Sequence, residues 1–253
     1  MKITLLGTGT SQGVPVIGCD CEVCASTDPR DNRLRSSALL NHDDTNIIID
    51  SGPDFRQQML RARVRHVNGI LLTHEHNDHV IGLDDVRPFN FSTGHPMAVY
   101  ALPRVAEQVR RRFEYIFGDP IPGAPRIELI PIDKDTQFCI GNLNIQPIEI
   151  MHGRMPILGF RFGDMTYLTD VKTVPETEKD KIRGTKYLIT SALHHRQHPV
   201  HMNIEEALAF IADVKPEQAW LTHISHSMGL AKDVEKQLPP GVSLAYDGLE
   251  IEF

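Results

Sequence analysis

Residues 69–79 read GILLTHEHNDH, a short apolar run followed by three histidines and an aspartate within six positions. The run has the length and character of a buried strand that ends in a polar loop. His74 and His76 are two apart, so they point the same way while the chain stays extended. Asp78 and His79 follow in a turn or the first turn of a helix. A single histidine after a strand is usually a surface residue; four donors converging on one point are not. Imidazole nitrogens mixed with carboxylate oxygens suit a divalent metal. With more ligands from elsewhere in the chain, such a loop could hold two ions. Glu75 and Asn77 are not needed for this and are expected to be exposed.

A second cluster lies upstream. Cys19, Cys21 and Cys24 fall within GCDCEVC, whereas Cys139 stands alone. A disulfide framework spreads its cysteines along a short secreted chain, so three crowded thiols read instead as metal ligands. Three thiolates need a fourth donor to close a tetrahedral zinc site. His226, three residues after His223 in WLTHISH, offers one. A closed site of this kind around residues 18–25 would be structural.

The rest of the 253 residues bounds the class. Hydrophobic residues make up 41% and charged residues 23%, as in ordinary globular proteins. No apolar run is long enough to cross a membrane, and the start, MKITLLGTGTSQG, lacks the features of a signal peptide. A cytoplasmic protein is expected. The net charge of −7 argues against a nucleic-acid partner. The one basic cluster, Arg61, Arg63 and Arg65, reads as a solvated face. The Gly-rich stretch 7–13 has no P-loop lysine. It reads as the turn that carries the cysteine loop to the site, with Thr10 and Ser11 near the pocket.

Strands are expected at 2–6, 36–41, 46–50, 69–73, 97–101, 127–132, 143–150, 158–162, 165–169, 187–191, 218–223, 242–246 and 249–253. Gly163-Asp164 reads as a hairpin turn. Helices are expected at 103–116 and 204–213, the latter capped by Asn203 with Glu206 three residues on, and more weakly at 54–63 and 231–238. Strands and helices do not alternate one for one, which favours two packed sheets with helices outside. No linker divides the chain, so one domain over 1–253 is expected.

H-x-H-x-D-H after an apolar strand resembles the signature of the metallo-β-lactamase superfamily. Asp50 in NIIIDSG, His152 in IEIMHG, Asp170 in YLTD and His223 in WLTH follow that family's pattern in order. The resemblance implies an α/β fold, an αββα sandwich with metals at one edge of its two sheets. It implies His74, His76 and His152 on one ion, Asp78, His79 and His223 on the other, Asp170 bridging, and Asp50 supporting the loop.

TGTSQGVP, the cysteine trio, LTHISH and the closing YDGLEI narrow the likeness. Together they resemble the cyclic phosphodiesterases of the bacterial carbon–phosphorus lyase pathway, relatives of tRNase Z. That likeness implies hydrolysis of a small, cyclic phosphodiester, ribosyl or nucleotide in type. It also implies two divalent ions (Mn or Zn, with Fe admitted), one structural Zn and a homodimer. The catalytic set would be His201, Asp78 and Asp170. His201 stands just before the helix in ALHHRQHPVHMN, where the family keeps its general acid, and His198 is its rival. Three alternatives stay open. One is thioester or amide hydrolysis on the same metals. Another is tRNase Z-like RNA processing, which the missing tRNA-gripping arm disfavours. The third is a non-catalytic binding role like that of the pyrroloquinoline-quinone biosynthesis relative.

Overall fold

The structure is a computed structural model that describes residues 1–119 and 121–253. The first sheet holds β1 (Lys2–Gly7), β2 (Ser37–His42), β3 (Thr45–Ile49), β4 (Gly69–Leu71), β5 (Met97–Ala101) and β6 (Ile127–Pro131). The second holds β7 (Phe138–Ile140), β8 (Leu143–His152), β9 (Met155–Phe162), β10 (Met165–Leu168), β11 (Tyr187–Ser191), β12 (Gln218–Thr222) and β13 (Val242–Leu244). The last strand, β14 (Glu250–Glu252), returns to the first sheet beside β1. The sheet orders are β14-β1-β2-β3-β4-β5-β6 and β13-β12-β11-β10-β9-β8-β7.

Helices α1 (Phe55–Arg61), α2 (Asn77–Val80), α3 (Arg87–Thr93), α4 (Pro103–Arg112) and α5 (Glu114–Phe117) lie with the first sheet. Helices α6 (Glu176–Ile182), α7 (Ile204–Val214) and α8 (Ala231–Val234) lie with the second. Side chains alternate across each strand. Ile47 and Ile49 face the layer between the sheets, with Phe160 and Phe162, while Ile48 joins Phe55 and Val105 in the outer layer. With both faces covered, the strands read as near-continuous apolar runs. This is the αββα sandwich.

Several elements differ from expectation. Among the described residues, β7, α3 and α6 appear where the sequence predicts none, while α2 is the helical turn allowed for Asp78 and His79. α6, ETEKDKI, has almost no apolar stripe; it buries Ile182 and Glu178. β7 is a three-residue edge strand carrying exposed Cys139. The helix expected over 103–116 breaks at Phe113, whose φ of −115° and ψ of 41° leave helical geometry as its ring enters the core. With α3 and α6 present, β3 to β6 and β10 to β13 are parallel runs joined by helical crossovers. Strand–helix alternation is therefore stronger than the sequence suggested. It matters for function, because open parallel strands present their carboxyl ends to ligands.

No helix is long and apolar enough to cross a membrane among the described residues. The 194–201 segment is closed at its base by Leu193 N donating to Met202 O at 3.0 Å. α7 then starts with a capping box: Asn203 Oδ1 accepts from Glu206 N at 2.9 Å, and Glu206 Oε2 accepts from Asn203 N at 3.0 Å. The same Asn203 amide donates to His195 O at 3.1 Å. Asn203→Ala should lower stability by about 1–2 kcal/mol. Urea unfolding should show an earlier midpoint with an unchanged slope.

Candidate metal centre

Three site residues share one local device. Asp50, Asp170 and His223 each follow the end of a strand (β3, β10 and β12) and adopt φ of 61°, 58° and 55°. A left-handed non-glycine residue costs about 1–2 kcal/mol, and such strain collects where a side chain must be aimed. All three are buried. Gly52 lets the next turn close: a Cβ there would lie 2.0 Å from Asp78 O.

The predicted donors come together. His74, His76 and His152 form one group whose ligand atoms lie within 4.8 Å of one another, and Asp78, His79 and His223 form another. His74, His79 and Asp170 form a third, and His152, Asp170 and His201 a fourth, so Asp170 belongs to groups on both sides. Its Oδ1 lies 3.0 Å from His223 Nε2 and its Oδ2 lies 3.3 Å from His79 Nε2.

Hydrogen bonds behind the donors fix which nitrogen faces the centre. Asp50 Oδ2 accepts from Thr73 Oγ1 at 2.8 Å and contacts His79 Nδ1 at 2.7 Å. Thr73 Oγ1, its proton given to Asp50, can accept from His74 Nδ1 at 2.9 Å. His152 Nδ1 sits 3.0 Å from Asp170 O and 3.0 Å from Val200 O. Each of these rings thereby turns its Nε2 inward, the arrangement metal-bound histidines show.

These residues fit a metal pair. His79 Nε2 and His223 Nε2 are buried without a hydrogen-bond partner. His74 Nε2 and His76 Nδ1 stand 3.0 Å apart, close to the roughly 3.3 Å between two nitrogens on one tetrahedral zinc. Burial opposes charge on both Asp170 and His79. The imidazoles of His223 and His79 nonetheless hold the Asp170 carboxyl well below its usual range, and Asp170 and Asp50 hold the His79 imidazole well above its own. A bound cation would take the place of the His79 proton.

The cysteine cluster forms as well. Sγ of Cys19, Cys21 and Cys24 lie 3.3, 3.5 and 3.5 Å from His226 Nδ1. Tetrahedral zinc with these donors would set sulfur and nitrogen about 3.5 Å apart. A hydrogen bond from the Cys24 amide is the largest influence pulling the Cys21 thiol down to about 6, toward the thiolate a metal needs.

His201 is buried beside the centre, its Nδ1 3.7 Å from Asp170 Oδ1 and its ring 4.7 Å from that of His223. The His198 ring lies farther out, 5.1 Å from that of His201. Thr10, Ser11 and Gln12 face these two histidines and His194 across a cavity of about 330 Å³.

Glu75 corrects an expectation. It is half-buried rather than exposed, with its carboxylate paired to Arg104, and its carbonyl accepts from Arg112. Asn77 is exposed as expected. Supporting residues that sequence reasoning missed include Thr73 and Asp247. Asp247 accepts from Thr8 N at 2.9 Å and from Leu34 N at 2.8 Å, tying the Gly-rich turn in place. Their signal was adjacency: Thr73 opens the histidine stretch, and Asp247 sits in YDGLEI.

The fold and donor set are those of the metallo-β-lactamase type. A model of the beta-lactamase superfamily domain matches residues 45–224, and the chain belongs to that superfamily. A solved structure described as a new diphosphatase from the PhnP family superposes with a TM-score of 0.93. It is 37% identical, with 100% of this chain and 97% of that one covered. Human tRNase Z, short form, superposes with a TM-score of 0.71 at 19% identity, covering 100% and 99%, a likeness of fold. The octanoyltransferase of Porphyromonas gingivalis W83 is 42% identical over 253 residues, 99% of this chain and 51% of that protein. The chain spans about half the length of the curated relatives it matches.

Thr73→Val keeps shape but removes the hydroxyl that links His74 to Asp50. Competition with a chelator should show active-site metal affinity reduced about 10–100-fold. In the same metal analysis, His226→Ala should lose the ion at the cysteine cluster and keep those at the histidine loop.

Proposed function

We propose that the protein is a dinuclear metal-dependent phosphodiesterase that hydrolyses a small cyclic diester of the ribosyl or nucleotide type. The observation that carries this reading is the Asp170 carboxylate, which groups with His74 and His152 on one side of the centre and lies 3.3 Å from His79 and 3.0 Å from His223 on the other. His74, His76 and His152 would hold one ion and Asp78, His79 and His223 the other, with Asp170 between. Manganese or zinc, or iron, suits this donor set, and zinc suits the cysteine cluster. When bound, the pair supplies an activated water and charge neutralisation at phosphorus.

The chain's own residues do the rest. Asp50 and Thr73 keep the ring nitrogens of His74 and His79 unprotonated on the inner side. Thr10, Ser11 and Gln12 offer hydroxyl and amide groups to the sugar end of a substrate in the cavity. His201 would give its proton to the leaving alkoxide oxygen. Burial, with His223 beside it, pushes that imidazole down to about 3. It would therefore be neutral until an anionic diester arrives, whose charge favours the protonated ring. A small substrate, a homodimer and no nucleic-acid partner complete the reading.

One observation favours a second reading. The octanoyltransferase relative is 42% identical across this chain, which points to an acyl thioester as the competing substrate. The test is hydrolysis of bis(p-nitrophenyl) phosphate by Mn-loaded protein, with His76→Ala as control and an octanoyl thioester as the second substrate. Diester turnover that stops at the monoester, is lost in the variant, and exceeds thioester turnover is expected. Thioester turnover alone would replace this proposal with the acyl reading.

His201→Ala should slow substrates with poor alkoxide leaving groups by about 10²–10⁴-fold. It should affect p-nitrophenol release far less, because that group needs no proton. Equal loss on both would remove His201 from the acid role and turn attention to His198.

A further inference from the structure

As the solvated-face reading expects, Arg61, Arg63 and Arg65 are all exposed, and they cluster around the end of α1. α1 ends at Arg61, and Arg63 closes it in the left-handed region at φ of 53°. Arg63 N donates to Leu60 O at 3.2 Å and Val64 N to Met59 O at 3.0 Å. Glycine is the usual residue at such a helix end, so the arginine is kept at a cost in backbone energy.

This turn and the outer face of β14, β1 and β2 enclose a cleft of about 480 Å³. That volume lies within the range of small-ligand sites. Leu6, Leu39 and Val64 give the cleft an apolar part, while Thr4, Asn41 and Asn46 give it neutral polar groups. Lys2, Arg61, Arg63 and Arg65 place four cations around it, against the single carboxylate of Glu250. Lys2 pairs with Glu250 at 2.9 Å, and Arg61 with Asp247 at 3.4 Å. Arg63 and Arg65 have no ion-pair or side-chain hydrogen-bond partner among the described residues. Two exposed guanidinium groups without a partner beside one cleft, in a chain of net charge −7, offer a place for an anion from outside. None of the lining residues belongs to a metal-ligand group.

We propose that this cleft binds a phosphate-bearing small molecule of about mononucleotide size, at a site separate from the metal centre. The planar fork of each guanidinium matches phosphate oxygens, the Asn41 amide, which gives one proton to Asn46 Oδ1 at 2.6 Å, has a second to offer, and the apolar part accepts an organic group. The proposal does not rest on the phosphodiesterase reading.

Calorimetric titration of the metal-loaded full chain with ADP tests it. ADP should bind wild type and His76→Ala with the same affinity. The double variant Arg63→Ala, Arg65→Ala should weaken binding tenfold or more, the size of roughly one lost charged hydrogen bond. Arg63→Gly should also weaken binding yet raise Tm, because glycine fits the left-handed position; this separates a lost guanidinium from lost structure. Absence of ADP binding, affinity unchanged in the double variant, loss of binding in His76→Ala, or equal affinity for citrate would each overturn the proposal.

Discussion

The Asp50 carboxylate lies wholly buried, accepts from Thr73 N and Oγ1 at 2.8 Å each, and meets His79 Nδ1 at 2.7 Å. Through Thr73 Oγ1 it also reaches His74 Nδ1. One group that is no ligand in the proposed scheme thus orients a histidine on each side of the centre. Removing a carboxylate from water costs several kcal/mol unless its lone pairs are used. Here the backbone amide, a hydroxyl and an imidazole use them. Burial still raises the Asp50 pKa against all three, so the arrangement holds only while the loop stays closed around it. That is why Gly52 matters: with a Cβ there, the chain could not pass Asp78 O.

The same economy ties the two donor clusters together. His223 and His226 are three residues apart on one segment. Ile224 between them donates its amide to Thr8 O at 2.8 Å. Asp247 then holds Thr8 from the other side. The cysteine loop, the Gly-rich turn and the end of β12 are therefore fixed against one another near the wall of the cavity that Ser11 and Gln12 line. A metal held by the three thiolates and His226 would have a plain physical use. It would immobilise loops that have too little apolar surface to immobilise themselves.

The site was more legible in the sequence than the helices around it. Metal donors must have particular side chains, so H-x-H-x-D-H and GCDCEVC show themselves by composition alone. The β-strands also showed themselves, because burial on both faces makes them continuous apolar runs. α6 and α3 did not. A helix of seven residues that buries only two positions, such as Glu178 and Ile182 in α6, has no period to read. Glu75 was misjudged for a related reason: its partners, Arg104 and Arg112, come from α4, about thirty residues on. Thr73 looked like strand-end filler because its role lies in a hydrogen bond to Asp50, which only the pairing of β3 with β4 brings near.

Charge balance at the centre bears on what it can accept. The donors named by position include two carboxylates, Asp78 and Asp170, and otherwise imidazoles. With neutral rings, two divalent ions would leave the cluster with excess positive charge at the strand ends, where the buried side chains around it strengthen Coulomb interactions. The chain is acidic overall, with a net charge of −7, so its average field does not draw anions toward the centre. Selection for an anionic substrate would then be made at the centre itself. A phosphodiester carries its charge on the oxygens that would meet the ions, whereas a thioester brings none. That charge match is what supports the proposed phosphodiester over a thioester on the same donors.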